Sequence, residues 1–226
     1  MKLTRQQLID YVKTKLDEHS PFDEPQSFIA AAGDPDFDKV KPIVKYIDDL
    51  LNEAANDCLR VLPLTLVGAD VTKLSVASVT ITDEVGSVAL AANSLLHARF
   101  TRVRADHWKK EVSAFITSSD AMYLTQQNKT VCGKYCKPIV AIVPEKDCLE
   151  LYSFPGKADS STTPAPPAIT ADIYYISCDK VAENVASDVD ELVVIRCAEL
   201  VCNVFGNQSA NVFKTEFQEK VNSVLQ

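Results

Sequence analysis

A chain of 226 residues, 46% hydrophobic and 24% charged, has the apolar content of one large or two small globular domains, which excludes a disordered chain. No apolar run approaches the roughly 20 residues of a membrane span, and Met1-Lys2-Leu3-Thr4-Arg5-Gln6 opens a polar helix rather than a secretory signal. The net charge of -8 is uneven: His97 to Lys137 holds eight basic and three acidic residues, net +5, which leaves -13 to the rest, so the middle and the ends are expected to face different partners.

In chain order, Thr4-Arg5-Gln6-Gln7 has the pattern of a capping box, and Leu8, Ile9, Val12 and Leu16 follow at helical spacing to a helix end near His19. Ser20 to Asp38, with Pro21, Pro25, Gly33 and Pro35, reads as a loop with a short turn at Ser27-Phe28-Ile29. From about Asp38 to Val61 the residues Val40, Ile43, Val44, Ile47, Leu50, Leu51, Ala54, Cys58 and Leu59 form an apolar stripe, with Pro42 tolerated in the first turn. This helix is the strongest element, roughly 35 Å long at 1.5 Å per residue.

After Pro63 the period becomes alternating. Leu74 to Thr82, a turn at Asp83 to Gly86 and a return over Ser87 to Leu90 predict a hairpin. Further strands are expected at Phe100 to Val103, Val112 to Thr117, Pro138 to Val143, Leu149 to Phe154 and Ile169 to Ile176. Ser118-Ser119-Asp120 offers a cap for a short helix through Tyr123 and Gln127. Pro155 to Pro167 reads as an exposed loop. Ser187-Asp188-Val189-Asp190 offers a cap and an acidic first turn for a helix carrying Leu192, Val193, Cys197, Leu200, Val201 and Val204, which Gly206 stops. A last helix, Ser209 to Leu225, places Phe213, Phe217, Val221 and Val224 on one side. The expected class is α+β: N-terminal helices over 1–62, an inserted antiparallel β-rich domain over 63–180, and C-terminal helices over 181–226 that complete one helical bundle. In that bundle Val193, Cys197, Leu200 and Val204 are expected against Val44, Ile47, Leu51 and Cys58.

The sequence offers little for catalysis. It has no GxSxG, P-loop, GxGxxG or HExxH, and only six glycines in all. His107 beside Asp106 has the composition of a base and its orienter, a role that requires both to be buried together in a cleft. Asp48, Asp49, Glu53 and Asp57 read as the solvated side of the long helix. Seven cysteines, odd in number and mostly in apolar surroundings (Cys58, Cys178, Cys197, Cys202), read as reduced, and Cys132, Cys136 and Cys148 lack the ligand spacing of a zinc site. No enzyme activity, metal or cofactor is expected.

The most informative stretch is the basic run Arg99, Arg102, Arg104, Lys109 and Lys110 around Trp108, the candidate partner-contact residues. Basic residues interleaved with an aromatic suit a phosphate backbone or an acidic protein surface, including the acidic remainder of an identical copy. The competing expectation is a strand with a wet basic face, Phe100 and Val103 inward, and Trp108 as a core anchor.

Phe100-Thr101-Arg102-Val103 followed by Trp108-Lys109-Lys110-Glu111-Val112, then Tyr123, Gln126, Asn128, Gly133, Lys137-Pro138-Ile139-Val140 and Leu149-Glu150-Leu151-Tyr152-Ser153, resembles the head-to-tail ring or adaptor proteins of crAss-like tailed bacteriophages of gut Bacteroidetes. Ile47 to Asp57 is similar to that family's first long helix. The chain departs from the pattern at Leu95-Leu96-His97-Ala98-Arg99, where a Leu-Pro-Asp-Asp turn is usual, and at Lys110, where a proline is usual. The resemblance implies a non-enzymatic virion protein of the neck, assembled in the cytoplasm of a bacterial host. It implies a ring of copies of itself, twelve to match a portal, held between the portal protein and other neck and tail rings. DNA would pass through the lumen without sequence-specific binding, and no membrane would be involved. The alternative is a small soluble module whose basic β surface holds an acidic partner or nucleic acid.

Overall fold

The computed structural model describes residues 2–19, 43–82, 85–126, 128, 132–134, 136–152 and 169–224. The expected loops over 20–38 and 155–167, the first turn of the long helix with Pro42, and Gln127 lie outside the described residues. The chain is mixed α+β, with six α-helices and two sheets among the described residues. It divides into two compact units, one of Met1–Asp70 with Cys178–Gln226 and one of Val71–Ser177.

In the first unit, α1 (Arg5–His19) begins in the expected capping box: the Gln7 N–H donates to Thr4 Oγ1 at 3.3 Å and the Thr4 N–H donates to Gln7 Oε1 at 2.9 Å. Its Leu8, Ile9, Val12 and Leu16 are buried. The helix α2 (Ile43–Val61) buries Ile47, Leu51, Ala54, Ala55, Cys58 and Leu59, one face at three- and four-residue spacing. Pro63 does not start the alternating segment. It precedes a helical turn, α3 (Leu64–Val67), and a 3-10 turn over Gly68–Asp70, so the β unit begins at Val71.

The centre of this unit is α5 (Asp190–Val204), on which α1, α2 and α6 (Ser209–Val224) all pack. The single stripe expected on α5 is therefore too narrow. Leu192, Val193, Val194, Ile195, Cys197, Ala198, Val201 and Cys202 are buried around its circumference, whereas Leu200 is half-buried and Val204 is exposed. A helix with neighbours on several sides is apolar on several sides. Against α2 the Cys197 thiol lies 3.7 Å from the Ile47 carbonyl oxygen. The expected side-chain cap at Ser187 does not form: Ser187–Val189 is a 3-10 turn and Val189 occupies the cap position. The far end follows expectation. Gly206 has φ +62°, the Gly206 N–H donates to the Asn203 carbonyl and the Asn207 N–H to the Cys202 carbonyl, the paired bonds of a Schellman end.

The returning segment 178–186 is pinned by amides and a carboxylate. Asn56 donates to the Lys180 carbonyl and accepts from its N–H, both at 2.9 Å, while Asn52 Oδ1 accepts from the Ala182 N–H at 3.0 Å and from Arg5 at 2.9 Å. Asp70, 6% exposed, takes Lys180 Nζ at 2.7 Å on one oxygen and the Ala186 N–H at 3.2 Å on the other. These bonds satisfy backbone groups that have no helix or sheet partner of their own.

In the second unit, the strands are β1 (Val71–Val76), β2 (Thr80–Thr82), β3 (Val85–Ala89), β4 (Ala98–Ala105), β5 (Phe115–Thr117), β6 (Ile139–Val143), β7 (Cys148–Tyr152) and β8 (Ala171–Ser177). They form a three-stranded sheet, β1-β8-β4, and a five-stranded sheet, β2-β3-β7-β6-β5. The strand expected over 74–82 is broken between Val76 and Thr80, so its two halves serve different sheets. The expected hairpin is β2 with β3, Thr80 opposite Ser87. The β part is not purely antiparallel, because β5 runs parallel to β6. The helix α4 (Ala121–Gln126) lies within the long connection between them, as a parallel pair requires.

Val103, Ala105, Ala171 and Ile173 of the first sheet pack with Val88, Val140, Leu149 and Leu151 of the second in one core that includes Trp108. The strand β7 is buried at all five positions. Leu149 and Leu151 face that core, whereas Cys148 and Tyr152 face a second cluster with Tyr123 of α4. Leu51 of the first unit is fully buried, so Leu51→Ala is expected to cost about 2 to 5 kcal/mol, measured by chemical denaturation; a loss below about 0.5 kcal/mol would show that α2 does not hold this core.

Candidate functional site

The basic run falls on β4 and the turn after it, and its orientation depends on one extra residue. A regular strand places residues three apart on opposite faces, so Phe100 and Val103 cannot both turn inward. The register with β8 pairs Phe100 with Tyr175 and Arg102 with Tyr174, leaving Thr101 as a bulge. Thr101 Oγ1 donates to the Tyr174 carbonyl at 3.0 Å. The bulge lets Ala98, Phe100, Val103 and Ala105 all meet the core, and it sets Arg99 on the same outer face as Arg102 and Arg104.

Across the outer face, Lys73 of β1 and Arg102 of β4 stand opposite Tyr174 of β8. Arg102 Cζ is 3.9 Å from the Tyr174 ring centroid and Lys73 Nζ 5.8 Å, so the ring has a cation on each side. In the next row Ser75, Asp172 and Arg104 align. Asp172 accepts from Ser75 Oγ at 2.7 Å and pairs with Lys73 Nζ at 2.8 Å. The Lys73 and Ser75 bonds hold the Asp172 carboxyl below its ordinary pKa, and the same pair raises Lys73. Arg102 also lies 3.6 Å from Glu111. The face is therefore cationic, with carboxylates set into it.

Of the six candidate residues, Arg102, Arg104, Lys109 and Lys110 are exposed and Arg99 is half-buried. Trp108 is not a contact residue: it is 3% exposed within the core, where its large apolar area is best used. Lys73, Asp172 and Tyr174 were missed because cross-strand neighbours are not adjacent in sequence. The period of two within Ala171-Asp172-Ile173-Tyr174 does place Asp172 and Tyr174 on one face, and that was the available signal.

A second polar cluster lies on the other sheet. Alternation along β7 puts Glu150, 7% exposed, on the α4 side. Its carboxylate accepts from Tyr152 at 2.6 Å and Tyr123 at 3.0 Å and pairs with Lys146 Nζ at 2.6 Å. Burial alone would raise the Glu150 pKa, and the bonds from Lys146, Tyr152 and Tyr123 outweigh it, leaving the carboxyl below its ordinary value. Beside it Gln126 accepts from the Gly133 N–H at 2.9 Å, and a Cβ at Gly133 would come within 2.9 Å of the Ile139 nitrogen. Tyr123, Gln126, Gly133, Glu150 and Tyr152, which carry much of the resemblance in the sequence, thus form two sets of bonds, Glu150 with Tyr123 and Tyr152 and Gln126 with Gly133, and the first fastens α4 to the sheet.

Asp106 and His107 do not make a buried dyad. The Asp106 side chain is 51% exposed, its carboxylate is 3.6 Å from His107 Nδ1, and its backbone N–H and other carboxylate oxygen bond to Thr170 instead. No disulfide joins the seven cysteines, all of them described residues. Burial pushes the thiol pKa of Cys197 to about 12 and of Cys202 to about 11, far from the range of a reactive thiolate. Among the described residues no group of three His, Cys, Asp or Glu is placed to hold a metal ion, and no helix is long and apolar enough to cross a membrane.

Because the Glu150 carboxyl is lowered in the folded state, its contribution is present above the unfolded value of about 4.3 and is lost as pH falls through the folded one. Wild-type stability measured by denaturant titration should therefore fall below about pH 4, and the fall should be smaller in Glu150→Gln. Tyr123→Phe at pH 7 should cost about 1 to 3 kcal/mol; a neutral effect would show that Glu150 does not need the phenol. No family model matches the chain, and no curated protein is similar to it.

Proposed function

We propose that this chain is a non-catalytic structural subunit of a ring at the head-to-tail connector of a tailed bacteriophage, lying between the portal protein and the tail and lining the DNA exit channel. In this reading the helices from both chain ends make one bundle, the Val71–Ser177 segment is its inserted β domain, copies of the chain close into a twelve-membered ring, and the protein resides in the virion neck.

The observation that carries the reading is the division of charge between the units. The helical unit, Met1–Asp70 with Cys178–Gln226, has 12 basic and 21 acidic residues, net -9, and the β unit has 11 and 10, net +1. The exposed cations of β1 and β4 are gathered on one sheet face. A chain acidic on one unit and locally basic on the other is suited to head-to-tail association of identical copies. A net-acidic wall also repels phosphate and lets DNA slide. The resemblance in order and spacing over Phe100 to Ser153 supplies the phage neck as the place where such a subunit works.

The face itself favours protein over nucleic acid as its partner. Asp172, held ionised by Lys73 and Ser75, and Glu111 beside Arg102 put negative charge among the arginines, which a phosphate backbone would meet as repulsion. Electron microscopy of virions labelled on this chain should show it as one layer at the neck. Finding it only in infected cells and never in particles would overturn the reading. The purified chain is further expected to show no salt-sensitive affinity for duplex DNA in titrations from low to physiological salt; tight, sequence-independent binding that weakens steeply with salt would make the basic face a nucleic-acid surface instead.

A further inference from the structure

We infer that the outer face of β1-β8-β4 docks a second copy of this chain through the exposed acidic side of that copy's α2, with Arg102 and Arg104 opposite Asp49 and Glu53. The inference rests on the reading of the chain as a self-associating subunit and names the two surfaces that meet.

Spacing and charge together select α2. Arg102 and Arg104 are both exposed and two residues apart on one strand face, which separates them by about 6.7 Å along β4. Asp49 and Glu53 are both exposed and four residues apart, one turn of α2, a rise of about 6 Å. Among the described helices α2 is the one that sets two exposed carboxylates one turn apart. The two repeats agree within side-chain reach, so both arginines can meet carboxylates in a single register, and a planar guanidinium suits bidentate pairing.

Tyr174 gives this contact more than charge. Its ring is held by Arg102 and Lys73, so it is ordered before any contact at little further entropic cost, in the company of arginine, as the energetically important residues of interfaces are. Asp172 has a complementary part. It sits in the row of Arg104, and α2 carries Lys45 one turn before Asp49, exposed on the same side. Lys45 comes nearer Asp172 when Asp49 meets Arg104 than when Asp49 meets Arg102, which favours one direction of α2 along β4. The contact joins unlike surfaces, so it can propagate head to tail from copy to copy, the arrangement that makes rings or filaments.

A charge exchange between two full-length chains tests the contact by sedimentation at low salt. Arg102→Glu with Arg104→Glu in one chain, and Asp49→Lys with Glu53→Lys in another, should each lower self-association at least about 100-fold while leaving far-UV circular dichroism unchanged. Mixing the two reversed chains should restore association, with the two chains alternating, because the acidic surfaces of one now fit the basic surfaces of the other. Association of the wild type should also weaken with added salt. Unchanged association of either reversed chain, failure of the mixture to recover, or a wild type that stays monomeric at every concentration would overturn this contact. A chain located at the virion neck whose association ignores the exchange would keep the proposed function and lose only this interface.

Discussion

Every residue of a strand must face one side or the other, and in the β unit that constraint governs both the core and the surface. The strand β7 is buried on both faces, so alternation gives Leu149 and Leu151 to the core between the sheets and leaves Cys148, Glu150 and Tyr152 to the side covered by α4. A carboxylate at Glu150 is then buried by position, and it remains ionised because two phenols and Lys146 supply its bonds. The same bonds tie α4 to the sheet, which explains why a helix of six residues, too short to be stable alone, is held in place.

On β4 the constraint is met differently. Phe100 and Val103 both belong to the core, which the period of two forbids, and the extra residue at Thr101 resolves the conflict. The consequence for the surface is as large as for the core. The three arginines of this strand share one face because of a single unpaired residue, and Tyr174 and Lys73 complete that face from two other strands. An interaction surface thus arises from the packing demand of the opposite side of the same strand.

The helical unit obeys a different constraint, the closing of a core from the two ends of the chain. Its central helix α5 comes late in sequence and is surrounded by α1, α2 and α6. The returning backbone at 178–186 has few regular partners, and Asn52, Asn56 and Asp70 supply them. Polar side chains here work as stand-ins for missing secondary structure, with Asp70 buried and Asn52 and Asn56 half-buried.

Patterns carried within one element were legible from the sequence. The capping box at Thr4, the stripe of α2, the stop at Gly206, the β2–β3 hairpin and most strands could be read because neighbours in sequence are neighbours in space at periods of 3.6 or 2. The α+β class follows from their order. What no local pattern carries was decided by tertiary structure: that residues 74–82 split between two sheets, that β5 and β6 run parallel, that α5 is buried on several sides, and that Trp108 lies inside. The candidate face divides in the same way. Its arginines were visible as a run, but their shared side required the bulge, and Lys73, Asp172 and Tyr174 joined them only through hydrogen-bonded registers between strands far apart in the chain. Local sequence sets which way a residue can face, and the register of long-range pairing sets what it meets there.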